Sequence, residues 1–216
     1  QTPDDLRDVL GRVNYPAQSW IWALESGEIG YGVNGLLPNA VASLLPRDGT
    51  TPRDPDIPHL DADRPFVVDP PSGVVVSTNQ PLFDDGRVNG RFSGAWRALR
   101  GHTVLAEGDD WTAEKLIGLQ RDTVNLEAAV MLPVMLADVG PAQLGPRTAE
   151  MVALLSEWDY RMVVDSPAPL IFEAWRAALH RYLIGLHLDA ELTEVWLDSR
   201  LSEAPVTRAV IFGGPM

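Results

Sequence analysis

Few residues in this 216-residue chain have types and spacings that do chemistry by themselves. The histidines are His59, His102, His180 and His187. His180 and His187 lie nearly two helical turns apart, so they would share a metal ion only with help from other ligands. Carboxylates are plentiful, with 30 Asp plus Glu, so a glycosidase pair is open by counting. Asp159, after Trp158, and Asp165, before Ser166, are the best placed. Their plainer readings are a salt bridge and a helix N-cap, and a cap suits the position just ahead of Pro167. Neither sits in an apolar run that would raise its pKa. The chain contains no HExxH helix, GxSxG elbow, P-loop or GxGxxG turn. It has no cysteine, which removes a thiolate zinc site, a cysteine nucleophile and a disulfide framework within the chain. A net charge of −13 argues against binding a phosphate backbone, which needs clustered Lys and Arg. The residues alone indicate an acidic, mixed α and β piece without a self-contained active site.

The elements that must position any site follow from pattern. Thr2-Pro3-Asp4-Asp5 ahead of Leu6, Val9 and Leu10 predicts a short helix with acids in its first turn. Ser19-Trp20-Ile21-Trp22-Ala23-Leu24 is an aromatic, β-prone run. Glu25-Ser26-Gly27-Glu28 supplies a turn, and Ile29-Gly30-Tyr31-Gly32-Val33 returns. Its glycines weaken the strand or mark a close approach to the backbone. Residues 38–72 are rich in proline and aspartate and predict a long loop, either disordered or wrapped over a larger body. Gly73-Val74-Val75-Val76-Ser77-Thr78-Asn79 reads as a short buried strand ending at Asn79. From about Thr112 the pattern becomes helical, with Asp110 or Thr112 as the first cap. Pro133 should kink or end the helix that carries Leu126 and Val130. Helices are also predicted over 147–157 and 167–188. There is no internal repeat, and no run of 18 uncharged apolar residues that would predict a membrane-spanning helix.

Several segments, taken in order, resemble the penicillin acylase (penicillin amidase) family of N-terminal nucleophile hydrolases. Trp20-Ile21-Trp22-Ala23-Leu24-Glu25-Ser26-Gly27-Glu28-Ile29-Gly30-Tyr31 resembles that family's strand pair, and Gly35-Leu36-Leu37-Pro38 its following Gly-x-x-Pro. Asp69-Pro70-Pro71-Ser72-Gly73 through Ser77-Thr78-Asn79-Gln80 resembles Asn-Pro-x-x-Gly with an Ala-Asn-Asn type ending. Ala95-Trp96-Arg97-Ala98 resembles an aromatic-Arg motif. Leu119-Gln120-Arg121-Asp122-Thr123 resembles a Gln-x-Asp helix, and Leu132-Pro133 the family's Leu-Pro. Trp158-Asp159-Tyr160-Arg161-Met162 through Phe172-Glu173-Ala174-Trp175 resembles a Trp-Asp, small-residue, aromatic-x-x-Trp pattern. No single motif decides the matter; their order over about 18–188 does.

The resemblance implies an α+β fold: a fragment of the four-layer αββα sandwich, with 1–216 forming part of one large-subunit domain. Strands and the long loop occupy 1–100, and 101–216 is mainly helical. It implies hydrolysis of an acyl amide by an N-terminal Ser whose own α-amine is the base. β-Lactam side chains, acyl-homoserine lactones and lipopeptide tails are the substrate types in view. Asn79 falls on the oxyanion Asn, whose plainer role is to satisfy a turn at a strand end. Arg97 falls on the orienting Arg, whose plainer role is a surface salt bridge. Gln18 and Trp20 fall on the acyl-pocket strand, where Gln18 would make the wall more polar than usual. Asp69 replaces the usual Asn before Pro, and Gln80 replaces the usual second Asn or Asp; neither change removes the oxyanion donor. Gln1 is not Ser, Thr or Cys, so the nucleophile is expected on a companion chain, without which this piece should neither act nor fold well. The location implied is periplasmic or secreted. The chemistry requires no cofactor, although some relatives bind structural calcium, for which Asp84 and Asp85 are candidate ligands. A noncatalytic binding or assembly partner that keeps the scaffold is the alternative, and an acidic glycosidase a third.

Overall fold

The computed structural model describes residues 2–35, 50, 64–80, 94–137, 139–140, 144–198, 207 and 210–211. The chain forms two compact units, Gln1–Asp109 and Asp110–Met216.

The first unit opens with α1 (Pro3–Arg12). Thr2 and Asp5 close a reciprocal capping box, the Asp5 N–H donating to Thr2 Oγ1 at 3.2 Å and the Thr2 N–H to Asp5 Oδ2 at 2.8 Å. Strands β1 (Ser19–Ala23) and β2 (Ile29–Val33) form the expected hairpin, with Gly27 taking a positive φ in its turn. Strand β3 (Phe66–Val68) pairs antiparallel with β2, giving the order β1-β2-β3. The register places Trp20 opposite Gly32 and Trp22 opposite Gly30. A Cβ on Gly30 would come within 2.3 Å of the Trp22 ring and 2.2 Å of Val67 O. These glycines therefore make room for close neighbours. In the space they leave, Trp22 stacks on Phe66, with centroids 5.5 Å apart and planes 20° from parallel. Arg7 of α1 lies over the same Phe66 ring, 5.1 Å from its centroid. Asp69 has a positive φ and closes the β2–β3 end: its N–H donates to Ile29 O at 2.8 Å and its Oδ1 accepts from Ile29 N at 3.0 Å.

Three expectations need correction in this unit. Within the span expected to be loop, Phe66–Val68 is a strand. Four residues between Pro65 and Pro70 are too few to show an alternation, and the partner strand lies more than thirty residues earlier. The run Val74–Asn79, expected as a strand, carries no ladder among the described residues. Its conformation is set by side chains instead, as described below. Finally, a helix precedes Thr112: α2 (Trp96–Leu105) starts without a side-chain cap and contains Gly101, Thr103 and Val104, all weak helix formers. It forms because Ala98 and Gly101 are buried. A Cβ on Gly101 would touch Val76 Cγ1 at 3.0 Å, so the missing side chain lets α2 lie directly on the Val74–Gln80 segment.

The second unit is helical: α3 (Ala113–Gln120), α4 (Leu126–Ala137), α5 (Pro146–Ser156), α6 (Ala168–Gly185) and α7 (Ala190–Asp198). Thr112 caps α3, its Oγ1 accepting from Lys115 N at 3.3 Å. Asn125 Oδ1 does the same for α4 through Ala128 N at 3.0 Å. The α4 helix runs through Pro133, so the proline does not end it. Pro133 itself is exposed, while Ala128, Met131, Leu132 and Met135 are buried in one cluster with Leu155, Trp158, Ala168 and Phe172. Burying four residues of one face offsets the single backbone bond that proline forfeits. Trp158 anchors the bend after α5, with its Nε1 donating to Arg161 O at 2.9 Å and its ring 5.6 Å from that of Phe172. Among the described residues no helix is long and apolar enough to cross a membrane.

Candidate functional site

Two of the residues singled out from sequence meet in the first unit. Arg97 stands in the first turn of α2, and its Nη2 donates to Thr78 O at 2.6 Å and to Asn79 Oδ1 at 3.1 Å. A guanidinium has only donors, so the Asn79 atom facing it must be the carbonyl oxygen. The Asn79 Nδ2 group therefore points away from the arginine as a neutral N–H donor. Asn79 is exposed and holds a left-handed backbone, φ +67°. Asn tolerates that region better than most residues, because its short amide bonds locally.

Gln80 completes the arrangement. Its Oε1 accepts from Thr78 N at 2.6 Å and from Thr78 Oγ1 at 3.0 Å, and its Nε2 donates to Val76 O at 2.6 Å. The backbone on both sides of Asn79 is thus tied, by Gln80 from within the segment and by Arg97 from the helix.

Gln18 and Trp20 meet around a residue that sequence reasoning passed over. Asn34 is only 1% exposed, and both ends of its amide are in use. Its Oδ1 accepts from Gln18 N at 2.9 Å and Trp20 Nε1 at 2.8 Å. Its Nδ2 donates to Val13 O at 3.1 Å and Pro16 O at 2.8 Å. One buried amide thus joins the end of α1, the approach to β1 and the indole of Trp20, which keeps 44% of its surface exposed. The adjoining backbone is held as well: Arg64, buried, donates through Nη1 to Gly35 O at 2.8 Å. The sequence signal was Asn34-Gly35, a turn dipeptide following an apolar strand.

The remaining candidates have structural surroundings. Asp159 accepts from Arg161 N at 3.0 Å and pairs with Arg161 Nε at 3.4 Å, an exposed local bridge. Asp165 is exposed, and the neighbouring Ser166 Oγ accepts from Ala168 N at 3.3 Å at the start of α6. His180 is buried on α6, whereas His187 lies exposed beyond its end. Asp84 and Asp85 lie outside the described residues. Among the described residues no three His, Asp or Glu side chains are grouped to hold a metal ion.

Among the described residues, two of the perturbed carboxylates belong to helix starts, and a third, Glu28 in the β1–β2 turn, is held below the ordinary glutamate range by the Ser26 hydroxyl and then by its own backbone N–H. Asp5 is held below the ordinary aspartate range, first by the Thr2 backbone N–H and then by the Thr2 hydroxyl. Glu114 is held below the ordinary glutamate range by its own backbone N–H and then by the Thr112 hydroxyl.

The fold is similar to that of a thermostable penicillin G acylase from Alcaligenes faecalis, with a TM-score of 0.63 at 17% sequence identity. The match covers 87% of this chain and 36% of that one, so the chain spans about a third of the acylase chain it matches. The family model described as penicillin amidase matches residues 1–211, nearly the whole sequence. The chain therefore belongs to the penicillin amidase family.

Proposed function

We propose that this chain is the oxyanion-bearing part of an amidohydrolase that cleaves acyl amides. The observation that carries the reading is the Arg97–Asn79 hydrogen bond, which commits the Asn79 oxygen and turns its Nδ2 hydrogens away from the guanidinium. A substrate carbonyl placed against Nδ2 would develop negative charge on its oxygen when attacked. A fixed neutral donor stabilises that charge without losing a proton.

In this reading a companion chain supplies the N-terminal Ser. Its Oγ attacks the acyl carbon, and its α-amine takes the hydroxyl proton and passes it to the departing amine. Water then hydrolyses the ester, releasing the acid and restoring the Ser. Trp20, whose indole is held by Asn34, and Gln18, whose backbone Asn34 holds, form part of the acyl wall, with Gln18 its more polar section. The amide is of β-lactam side-chain, acyl-homoserine lactone or lipopeptide type. The unit around β1–β3 is one portion of a four-layer αββα sandwich, completed by strands from the companion, and 1–216 belongs to one large-subunit domain. The assembled enzyme is exported. Its reaction uses no cofactor, and a structural calcium would serve the scaffold and not the chemistry.

The test is Asn79→Ala in the assembled protein, assayed on a panel of acyl amides. Loss of one such donor lowers kcat roughly a hundred- to thousandfold, while Asp159→Asn leaves the rate unchanged. Activity retained in Asn79→Ala would remove the assignment.

A further inference from the structure

The left-handed backbone of Asn79 needs an explanation that the Arg97 contact does not supply by itself. Asn bears such a conformation at less cost than most residues, but to hold it in one fixed orientation the surroundings must bind it. Arg97 grips the outer side, at Thr78 O and Asn79 Oδ1. The inner side is held by Gln80 alone among the bonds described, and that side chain uses both halves of its amide. As an acceptor it takes the Thr78 N–H and hydroxyl, and as a donor it reaches back four residues to Val76 O. Val76 in turn lies against Gly101 of α2, the helix that carries Arg97. The two grips therefore share one support.

We propose that Gln80 is the positioning residue of this site: its side-chain amide locks residues 76–80 so that Asn79 presents Nδ2 in a fixed direction. The inference rests on the reading of Asn79 as the oxyanion donor. A side chain must both donate and accept to do this, and its reach from position 80 must span to Val76. Glutamine satisfies both requirements. An Asn or Asp there is one methylene shorter, and a carboxylate cannot donate.

Two variants of the assembled protein test it. Gln80→Met keeps length and removes both functions. Gln80→Glu keeps the acceptor for Thr78, loses the donor to Val76 O and offers Arg97 a competing carboxylate. Small misplacements of a reacting group cost up to about a hundredfold in rate, so Gln80→Met should lower kcat roughly tenfold to a hundredfold with KM within about twofold. Gln80→Glu should fall between it and the wild type, and it carries the comparison if Gln80→Met fails to assemble. Crystal structures of the variants should show Asn79 leaving the left-handed region. Unchanged kcat in both variants, with Asn79→Ala inactive, would overturn the role of Gln80. So would an unmoved Asn79 backbone, a readout that does not depend on activity. If Asn79→Ala were fully active, the oxyanion reading would fall, and the backbone readout would still judge Gln80.

Discussion

Replacing Asn34 by Ala deletes four hydrogen bonds at once: those to Gln18 N, Trp20 Nε1, Val13 O and Pro16 O. A hydrogen bond contributes about 1 kcal/mol net, and an orphaned buried group costs about 1–3 kcal/mol. The four losses are not equal. Val13 O keeps the Gly35 N–H at 2.9 Å, and Gln18, Pro16 and Trp20 are exposed residues whose freed groups can turn to water. Discounting for these, we expect a loss of about 2–3 kcal/mol, a large share of the ~5–15 kcal/mol that stabilises a typical domain. Urea unfolding of the assembled protein checks it. With a slope of about 2 kcal/mol per molar, the midpoint should drop by roughly 1–1.5 M at constant slope. Asn34→Asp should do no better at neutral pH, because a buried carboxylate would then face the Val13 and Pro16 carbonyls. A midpoint shift below about 0.3 M in the Ala variant would show that water replaces Asn34 at nearly no cost. Asn34 would then not be what holds Trp20 in place.

Arg97→Met leaves Asn79 Oδ1 without its charged donor, so the amide can turn its oxygen toward the substrate. A fall in kcat of roughly tenfold or more is expected, with Arg97→Lys intermediate, since an ammonium can serve both acceptors as Nη2 does but sits on a shorter side chain; steady-state kinetics decides, and equal rates would refute the orienting role. Gly30→Ala drives a methyl into the Trp22 ring and Val67 O, so the hairpin should lose about 1–3 kcal/mol or refuse to form; near-UV circular dichroism of the tryptophans would show it, and an unchanged spectrum with unchanged stability would contradict the packing. The α1 capping box has a pH signature. The Asp5 pKa is lowered in the folded chain, so its contribution is present above the unfolded aspartate value and is lost as pH falls through the lowered one. Amide exchange at Asp5, corrected for its intrinsic pH dependence, should lose protection on that acid limb; Asp5→Asn should abolish the change.

Much of the local structure was legible because it depends on neighbours in sequence. Thr2-Pro3-Asp4-Asp5 and Thr112 carry their caps within three residues. The β1–β2 hairpin is announced by an aromatic run, a Gly-containing turn and a β-branched return. Asn79 and Arg97 could be singled out only through the motifs that surround them, since neither an exposed Asn nor an exposed Arg signals a site by type. Sequence alone left the two as separate candidates, and left the glycines of β2 with two readings.

Tertiary structure decided what depends on distant partners. It chose close packing for Gly30 and Gly32, because the Trp22 and Phe66 rings occupy the space their side chains would need. It made Phe66–Val68 a strand through β2, and α2 a helix through buried Ala98 and Gly101 in spite of a poor propensity. It carried α4 through Pro133, because the burial of its core face outweighs one missing backbone bond. It also brought Arg97 onto Asn79 across eighteen residues and revealed Asn34 as the node behind Gln18 and Trp20. Caps and hairpins are short-range and depend on residue type, so composition and spacing express them. A hydrogen bond between side chains far apart in sequence depends on where the backbone has already been placed, and only the folded chain supplies that.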